Sequence, residues 1–118
     1  MKILLTGADG FTGRVFASRA IAEGHTIVAL RSDLTDAEAL QKEVLSVAPD
    51  TVVHLAAISF VGHSHHEALY AVNVVGTTNL LSALIKLPFR PRRVLLASSA
   101  NIYGNTTHSP IDETQAPA

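Results

Sequence analysis

The chain has 118 residues, and its hydrophobic content of 47% is enough to fill the core of one small α/β domain. A formal net charge of −1 and a pI near 6.6 leave no basic footprint for nucleic acid or an acidic membrane surface. Cysteine is absent from the sequence, which excludes disulfides, thiol catalysis and zinc–thiolate sites.

Strand-like and helix-like segments alternate along the sequence, a pattern typical of a parallel sheet covered by helices. We predict strands at residues 2–6, 26–30, 51–57 and 94–99, and helices at residues 12–23, 36–47 and 65–87. Residues 105–118 are predicted as loop. No repeat or linker divides the sequence, so the expected fold class is α/β: a Rossmann-type, doubly wound parallel sheet of about four strands with helices on both faces.

Local signals mark the ends of the predicted helices. Gly24 is expected to end the first helix and Pro88 the third. Capping boxes are predicted at the second and third helices, formed by Thr35 with Glu38 and by Ser64 with Glu67. The apolar stretch at residues 68–87 is interrupted by polar residues, and the one after Lys2 is short. We therefore expect neither a membrane span nor a secretion signal, and a cytoplasmic protein.

The first predicted strand runs directly into three glycines at three-residue spacing, Gly7, Gly10 and Gly13. Gly7 lets the chain turn sharply off the strand, Gly10 leaves room for a pyrophosphate, and Gly13 lets the helix pack closely on the strand. The helix then offers free N–H groups and its positive dipole end to phosphates. Because strand, spacing and helix agree, the motif predicts a dinucleotide site rather than a purely structural turn.

The connection after the second strand is unusually short, because only residues 31–35 precede the next helix. In this fold the end of the second strand faces the adenosine ribose, where an acidic residue would bind the hydroxyls. Arg31 could instead pair with a 2′-phosphate, and the alternative is a solvated arginine at a strand end. The sequence therefore favours NADP over NAD.

Five ordered segments resemble the extended short-chain dehydrogenase/reductases, specifically the nucleotide-sugar epimerases, dehydratases and reductases. They are the glycine motif and residues 33–36, 54–57, 73–81 and 98–104. The short connection resembles that of the GDP-4-keto-6-deoxymannose and dTDP-4-keto-rhamnose reductases. The resemblance implies hydride transfer between a nucleotide-sugar substrate and NADP or NAD, and a homo-oligomer.

The resemblance also assigns roles to individual residues. The pyrophosphate would be held by Gly7, Gly10, Phe11, Thr12 and Gly13, and the adenine by Asp33 and Leu34. The ribose and phosphate side of the third strand would be lined by Leu55, Ala56 and Ala57, unless the alanines only fill the core. Asn73 would orient the active-site loop or the cofactor, or serve as a hydrogen-bonded structural amide. Ser99 would be the catalytic hydroxyl that donates a hydrogen bond to the sugar oxygen.

The family's acid/base pair, a tyrosine followed four residues later by a lysine, is not in the sequence. Tyr70 and Tyr103 are followed at that spacing by Val74 and Thr107. We therefore expect residues 1–118 to be a single NAD(P)-binding domain, the N-terminal part of a longer enzyme, inactive by itself. The alternative is a non-catalytic NADP-binding sensor, against which the segment around Ser99 argues.

Two further expectations concern the reaction and metal binding. The 4,6-dehydratases carry an acidic residue where Asn101 stands, so elimination is disfavoured, and epimerisation or 4-keto reduction remains. His63, His65 and His66 lie at a helix entrance in an arrangement that does not suit a metal, so no metal site is expected. His54 is predicted to be a hydrogen-bonded core histidine.

The third predicted helix is apolar on every side, which requires burial on every side. One face can pack on the sheet. We expect Leu69, Val72, Leu80, Leu84 or their neighbours to be exposed, together with the edge of the last strand, and the isolated chain to self-associate.

Overall fold

The computed structural model describes residues 1–58 and 66–118. Its strands are β1 (Lys2–Thr6), β2 (Thr26–Ala29), β3 (Thr51–His54) and β4 (Arg93–Leu96). Its α-helices are α1 (Phe11–Ala22), α2 (Ala37–Val47), α3 (His66–Tyr70) and α4 (Thr77–Ile85). A π-helical segment, Ala71–Gly76, connects α3 to α4, and a short 3-10 helix, Ala100–Tyr103, follows β4.

The four strands form one parallel sheet in the order β2-β1-β3-β4. From β1 the chain moves to one side to add β2, and to the other side to add β3 and β4. The direction of winding therefore reverses between β1 and β3, which makes the sheet doubly wound, and the predicted fold class is confirmed. In such sheets ligands bind beyond the carboxyl ends of the strands at the point of reversal.

Helices cover both faces of the sheet because successive residues of β1 point into two separate cores. Leu4 is fully buried with Leu40 and Leu80 on the face covered by α2 and α4. Ile3 and Leu5 pack on the opposite face, against residues of α1. Burying one such leucine contributes about 1.5–3 kcal/mol, so this strand supports both layers.

Hydrogen bonds to side chains explain two boundaries that the sequence analysis placed wrongly. The strand predicted at residues 51–57 ends at His54. The Leu55 N–H is shared between the carbonyl and hydroxyl oxygens of Thr6, and the Ala56 N–H donates to that hydroxyl instead of to a neighbouring strand. The N-cap of α2 is Asp36 rather than Thr35: the Asp36 carboxylate accepts from the Ala39 N–H at 3.1 Å. The predicted N-cap of the third helix, Ser64, lies outside the described residues.

The helical stretch His66–Ile85 is long and apolar enough, by length and composition alone, to cross a membrane. Its polar residues find partners within the fold, since the side-chain amide of Asn79 donates to the Leu34 carbonyl at 2.9 Å. Leu80 and Leu84, expected on the exposed side, are instead buried against the face that α2 covers. We interpret this stretch as part of the layer that covers the sheet. Its exposed apolar residues are the neighbours Tyr70, Val74, Val75 and Ile85.

The last strand is exposed along its whole length, in contrast to the fully buried β3 beside it. Leu95, at its centre, is 54% exposed. Within residues 1–58 and 66–118, β4 pairs with β3 alone. The exposed strand edge predicted from the sequence is therefore present.

We predict that the 118-residue chain self-associates, because unpaired strand edges and exposed apolar patches drive association. The substitution Leu95→Lys should move association to higher protein concentration, since a charge on an edge strand opposes pairing. Val15→Lys is the matched control, because Val15 is 59% exposed but lies on α1. Light scattering across a concentration series measures the effect, and a monomeric parent chain at high concentration would contradict the prediction.

Candidate dinucleotide-binding site

The turn between β1 and α1 depends on close backbone approaches that only glycine permits. Gly7 has a φ of +74°, and a Cβ at this position would lie 2.7 Å from the Ala56 nitrogen. A Cβ at Gly13 would lie 1.9 Å from the Gly7 carbonyl oxygen. The helix α1 therefore begins directly against the end of β1. The glycine turn also lies directly against the residues that follow β3.

Gly10 is the N-cap of α1 and provides no side-chain hydrogen bond to the helix. The first N–H groups of a helix have no partner within it, and this end of the helix carries partial positive charge. The N–H groups of Phe11, Thr12 and Gly13 are therefore available to an anion. The side chains of Phe11 and Thr12 are exposed at the same end.

A cavity of about 160 Å³ brings together four of the predicted site residues. Gly7 contributes from the glycine turn, Asp33 and Leu34 from the short connection after β2, and Ala56 from the segment after β3. Thr6, Leu30, Ser32 and Val72 complete the lining. The cavity thus lies where the winding of the sheet reverses, at the position expected for a ligand.

Asp33 and Leu34, the two predicted adenine residues, contribute different chemistry to this cavity. Asp33 is exposed, and hydrogen bonds from the backbone N–H and the hydroxyl of Thr35 hold the pKa of its carboxyl below the usual value. Leu34 is buried, and a Cβ at Gly76 would lie only 2.9 Å from its Cβ. The connection therefore presents one carboxylate and one firmly packed apolar side chain.

Arg31 does not line this cavity. Together with Glu43 it lines an open groove of about 510 Å³ beside β2. The Glu43 carboxylate accepts from the Arg31 N–H at 2.9 Å, from the Ser32 N–H at 2.7 Å and from the Ser32 hydroxyl at 2.6 Å. Burial acts to raise the pKa of Glu43, but these hydrogen bonds outweigh it and hold the pKa below its usual value. No sequence pattern indicates the role of Glu43, because its partners Arg31 and Ser32 lie 12 and 11 residues earlier in the chain and outside α2.

A buried hydrogen-bond network joins the ends of β1 and β3. The Thr6 Oγ1 accepts from the N–H groups of Leu55 at 3.1 Å and Ala56 at 3.0 Å, and lies 2.6 Å from the Nδ1 of His54. The Leu55 N–H is shared with the Thr6 carbonyl oxygen at 3.2 Å. With these two donors on its oxygen, the hydroxyl is oriented to donate its proton to Nδ1. Burial lowers the pKa of His54, which agrees with a neutral ring that carries its proton on Nε2. The prediction of a hydrogen-bonded core histidine is confirmed.

The network continues through α4 to the segment after β3. The Nε2 of His54 lies 2.9 Å from the Thr77 Oγ1, and the Thr77 hydroxyl donates to the Asn73 carbonyl at 2.8 Å. The Asn73 side chain accepts from the Ile58 N–H at 2.8 Å and donates to the Ile58 carbonyl at 2.9 Å. Asn73 thus binds the backbone beyond β3. Leu55 and Ala57, which flank Ala56 in the chain after β3, do not line the 160 Å³ cavity.

Ser99, the predicted catalytic hydroxyl, lies shortly after β4 at the carboxyl edge of the sheet. Its Oγ accepts from the Asn101 N–H at 3.1 Å and caps the 3-10 helix that Tyr103 ends. The hydroxyl proton of Ser99 is not used in this bond. The residue therefore has a fixed position and a proton that it can donate.

No group of three His, Cys, Asp or Glu residues close enough to hold a metal ion occurs within the two described ranges. His63 and His65 lie outside those ranges.

Comparison with known proteins identifies a family match over nearly the whole chain. The family described as NAD dependent epimerase/dehydratase matches residues 3–118. The chain is 35% identical to the GDP-6-deoxy-D-talose 4-dehydrogenase of Aggregatibacter actinomycetemcomitans over 99% of its length. It is 42% identical to the UDP-glucose 4-epimerase of Mycoplasma genitalium over 95% of its length. The chain spans 42% and 40% of the lengths of these two relatives.

The same similarity is found among solved structures. The UDP-glucose 4-epimerase from Brucella ovis, in complex with NAD, matches 99% of this chain with a TM-score of 0.89 at 28% identity. The matched part is 41% of that protein.

We predict that Gly7→Ala destabilises the fold more than Gly24→Ala does. Both glycines have positive φ, so both substitutions lose about 1–2 kcal/mol to the left-handed conformation. At Gly7 the added Cβ would also lie inside van der Waals contact with backbone atoms, which adds about 1–3 kcal/mol of overpacking. At Gly24 no atom of the described residues lies within 4 Å of an added Cβ. Urea unfolding measures both losses. Equal losses would show that the glycine turn can move away from Ala56.

Proposed function

The chain belongs to the NAD dependent epimerase/dehydratase family, and on that premise we propose that it is the cofactor-binding part of a nucleotide-sugar epimerase or 4-keto reductase. The observation that carries the proposal is the convergence of the glycine turn, Asp33, Leu34 and Ala56 around one cavity. The names of the two curated relatives, a GDP-6-deoxy-D-talose 4-dehydrogenase and a UDP-glucose 4-epimerase, support a nucleotide sugar as the substrate.

The described residues fit a dinucleotide that lies across the carboxyl edge of the sheet. The N–H groups of Phe11, Thr12 and Gly13 bind the pyrophosphate at the uncapped end of α1. The 160 Å³ cavity is smaller than the roughly 300–1,000 Å³ of a pocket for a whole drug-sized ligand, so we assign it to the adenine end alone. There Leu34 packs against the base and Asp33 accepts a hydrogen bond from its amino group. Ala56 and Ala57, having small side chains, allow close approach to the backbone.

We further propose that NADP is preferred over NAD, through Arg31. Within the part of the chain that the structure describes, the Arg31 guanidinium forms no salt bridge, and Glu43 holds its backbone in place. A guanidinium at the end of β2 can bind a 2′-phosphate through two hydrogen bonds. The Brucella ovis relative contains NAD, so this part of the proposal rests on Arg31 alone.

The proposed reaction uses Ser99 as a hydrogen-bond donor to the sugar oxygen that alternates between alcohol and ketone. The bound nicotinamide would supply hydride transfer, and this chain's residues would bind and orient the reactants. Asn101, whose amide is not an acid, is consistent with epimerisation or reduction rather than elimination. Since the sequence contains no Tyr-x-x-x-Lys, we propose that these 118 residues bind cofactor without turnover. We also propose a cytoplasmic homo-oligomer for the enzyme that contains them.

The first test is cofactor binding by the 118-residue chain. The parent should bind NADP more tightly than NAD, and Arg31→Ala should weaken NADP binding by about 1.5–3 kcal/mol, the strength of a charge-assisted hydrogen bond. Arg90→Ala is the control, because it removes the same charge from an exposed residue near β4. Calorimetric titration of NADP and NAD into the parent and the two variants gives the six affinities that the test needs. Equal affinities in the parent, or a preference unchanged by Arg31→Ala, would refute the role of Arg31.

The second test is turnover. The 118-residue chain should show none with UDP- or GDP-sugars, whereas a protein that joins these residues to a Tyr-x-x-x-Lys segment should be active. In that protein Ser99→Ala should lower kcat by about 10²- to 10⁴-fold, as expected for loss of acid–base participation. Ser98→Ala removes the neighbouring exposed hydroxyl and should leave kcat near that of the parent. Equal rates for the two variants would refute the role of Ser99. A joined protein that shows no turnover would favour the alternative of a non-catalytic NADP-binding sensor.

A further inference from the structure

The π-helical segment Ala71–Gly76 contacts the proposed cofactor site at two places and the chain beyond β3 at a third. Val72 lines the 160 Å³ cavity. Asn73 binds both backbone groups of Ile58. Gly76 lies against Leu34, the apolar residue proposed for the adenine. Whatever sets the position of this segment therefore also sets the shape of the site.

We propose that His54 and Thr77, which do not line the 160 Å³ cavity, are positioning residues: they hold this π-helical segment, and with it Asn73, against the end of β1. The inference rests on the proposed cofactor site. Its basis is the hydrogen-bond chain that runs from Thr6 through the His54 ring and the Thr77 hydroxyl to the Asn73 carbonyl.

The direction of this chain is determined by its two ends. At the β1 end, the Ala56 N–H donates to the Thr6 hydroxyl oxygen, and the Leu55 N–H is shared between that oxygen and the Thr6 carbonyl oxygen. These donors orient the hydroxyl to donate its own proton to Nδ1 of His54. At the helix end, the Asn73 carbonyl can only accept, so Thr77 must donate to it and accept from Nε2–H. Only the neutral ring with its proton on Nε2 satisfies every group. Fully satisfied buried networks of this kind specify one geometry.

Protonation of His54 breaks the chain at Thr6. A proton on Nδ1 would face a hydroxyl oxygen whose acceptor positions are filled, and the hydroxyl would lose the atom to which it donates. The groups next to His54 are Thr6 on β1, Thr77 on α4 and Leu96 on β4, and among these described neighbours none is charged. No carboxylate in that set compensates the imidazolium. The positioning function therefore requires a pH above the range in which His54 becomes protonated.

Thr77 and Thr78 form a matched pair for testing this inference. Each lies at the start of α4, and each hydroxyl donates to the carbonyl four residues earlier, at 2.8 Å and 2.9 Å. Only Thr77 also accepts from His54. The substitutions Thr77→Val and Thr78→Val therefore remove the same local bond, but only the first interrupts the buried chain.

The experiment measures the dissociation constant of NAD for the parent chain and the variants, with urea unfolding of each. Thr77→Val should weaken NAD binding roughly three- to tenfold, the range expected for one buried hydrogen bond, and Thr78→Val should stay close to the parent. Thr77→Ser keeps the hydroxyl and should restore the parent affinity. If Thr77→Val does not fold, Thr77→Ser decides: it keeps the hydroxyl, so an NAD affinity three- to tenfold weaker than that of the parent would overturn the inference.

A pH series on the same proteins separates positioning from general stability. NAD affinity of the parent should fall as the pH is lowered below about 6.5, the usual pKa of histidine, since its lowered pKa lies beneath that value. In His54→Asn, which keeps an acceptor for the Thr6 hydroxyl but does not titrate, this fall should disappear. A fall that persists in His54→Asn, or equal affinities for Thr77→Val and Thr78→Val, would overturn the inference alone. A parent that binds neither NAD nor NADP would overturn the proposed function as well.

Discussion

The hydroxyl of Thr6 is the interaction on which the rest of the site depends. It is buried at the end of β1 and accepts hydrogen bonds from the first two backbone N–H groups after β3. It therefore joins β1 to the chain after β3 at the point where the sheet reverses its winding. Leaving a buried donor without a partner costs about 1–3 kcal/mol. The Ala56 N–H has this oxygen as its partner, and the Leu55 N–H is shared between it and the Thr6 carbonyl oxygen. The closure brings the chain after β3 so near to the next residue, Gly7, that no Cβ fits. The hydrogen bonds of Thr6 therefore add to the glycine requirement that the positive φ of Gly7 already sets.

The short connection after β2 is held from both sides, in place of the longer βα unit that this fold usually contains. From α2, Glu43 accepts the backbone N–H groups of Arg31 and Ser32. From α4, the Asn79 side chain donates to the Leu34 carbonyl. A loop of this length has few backbone partners of its own, so polar side chains from two helices supply them. The result is a fixed wall for the cavity without an additional strand.

Local patterns in the sequence were sufficient to predict the sheet, the glycine turn and the buried histidine, because residues close together in the sequence carry the signal for each. Contacts between distant residues were not predictable in this way. Thr35 resembles an N-cap, but its hydroxyl is engaged by Asp33, so Asp36 caps the helix instead. The hydrogen bonds of Glu43 with Arg31 and of Thr77 with His54 join residues 12 and 23 positions apart. No periodicity in the sequence predicts such pairs. The burial of Leu80 was likewise not predictable, because the helix is apolar on every side and only its packing with α2 determines which side is covered.

The connection after β2 has a different charge on each of its two sides. The difference depends on the hydrogen-bond partners of two carboxylates, Asp33 in the connection and Glu43 on α2. Asp33 stands on the cavity side, where its bonds with Thr35 favour the ionised form and leave it able to accept from a donor. On the opposite side Glu43 is also held ionised, but its oxygens are occupied by backbone and hydroxyl donors. The guanidinium of Arg31 contributes to lowering the pKa of Glu43 without forming a salt bridge to it. An ionised acceptor therefore lines the cavity, and a cation lines the groove beside the Glu43 carboxylate, whose oxygens are already occupied.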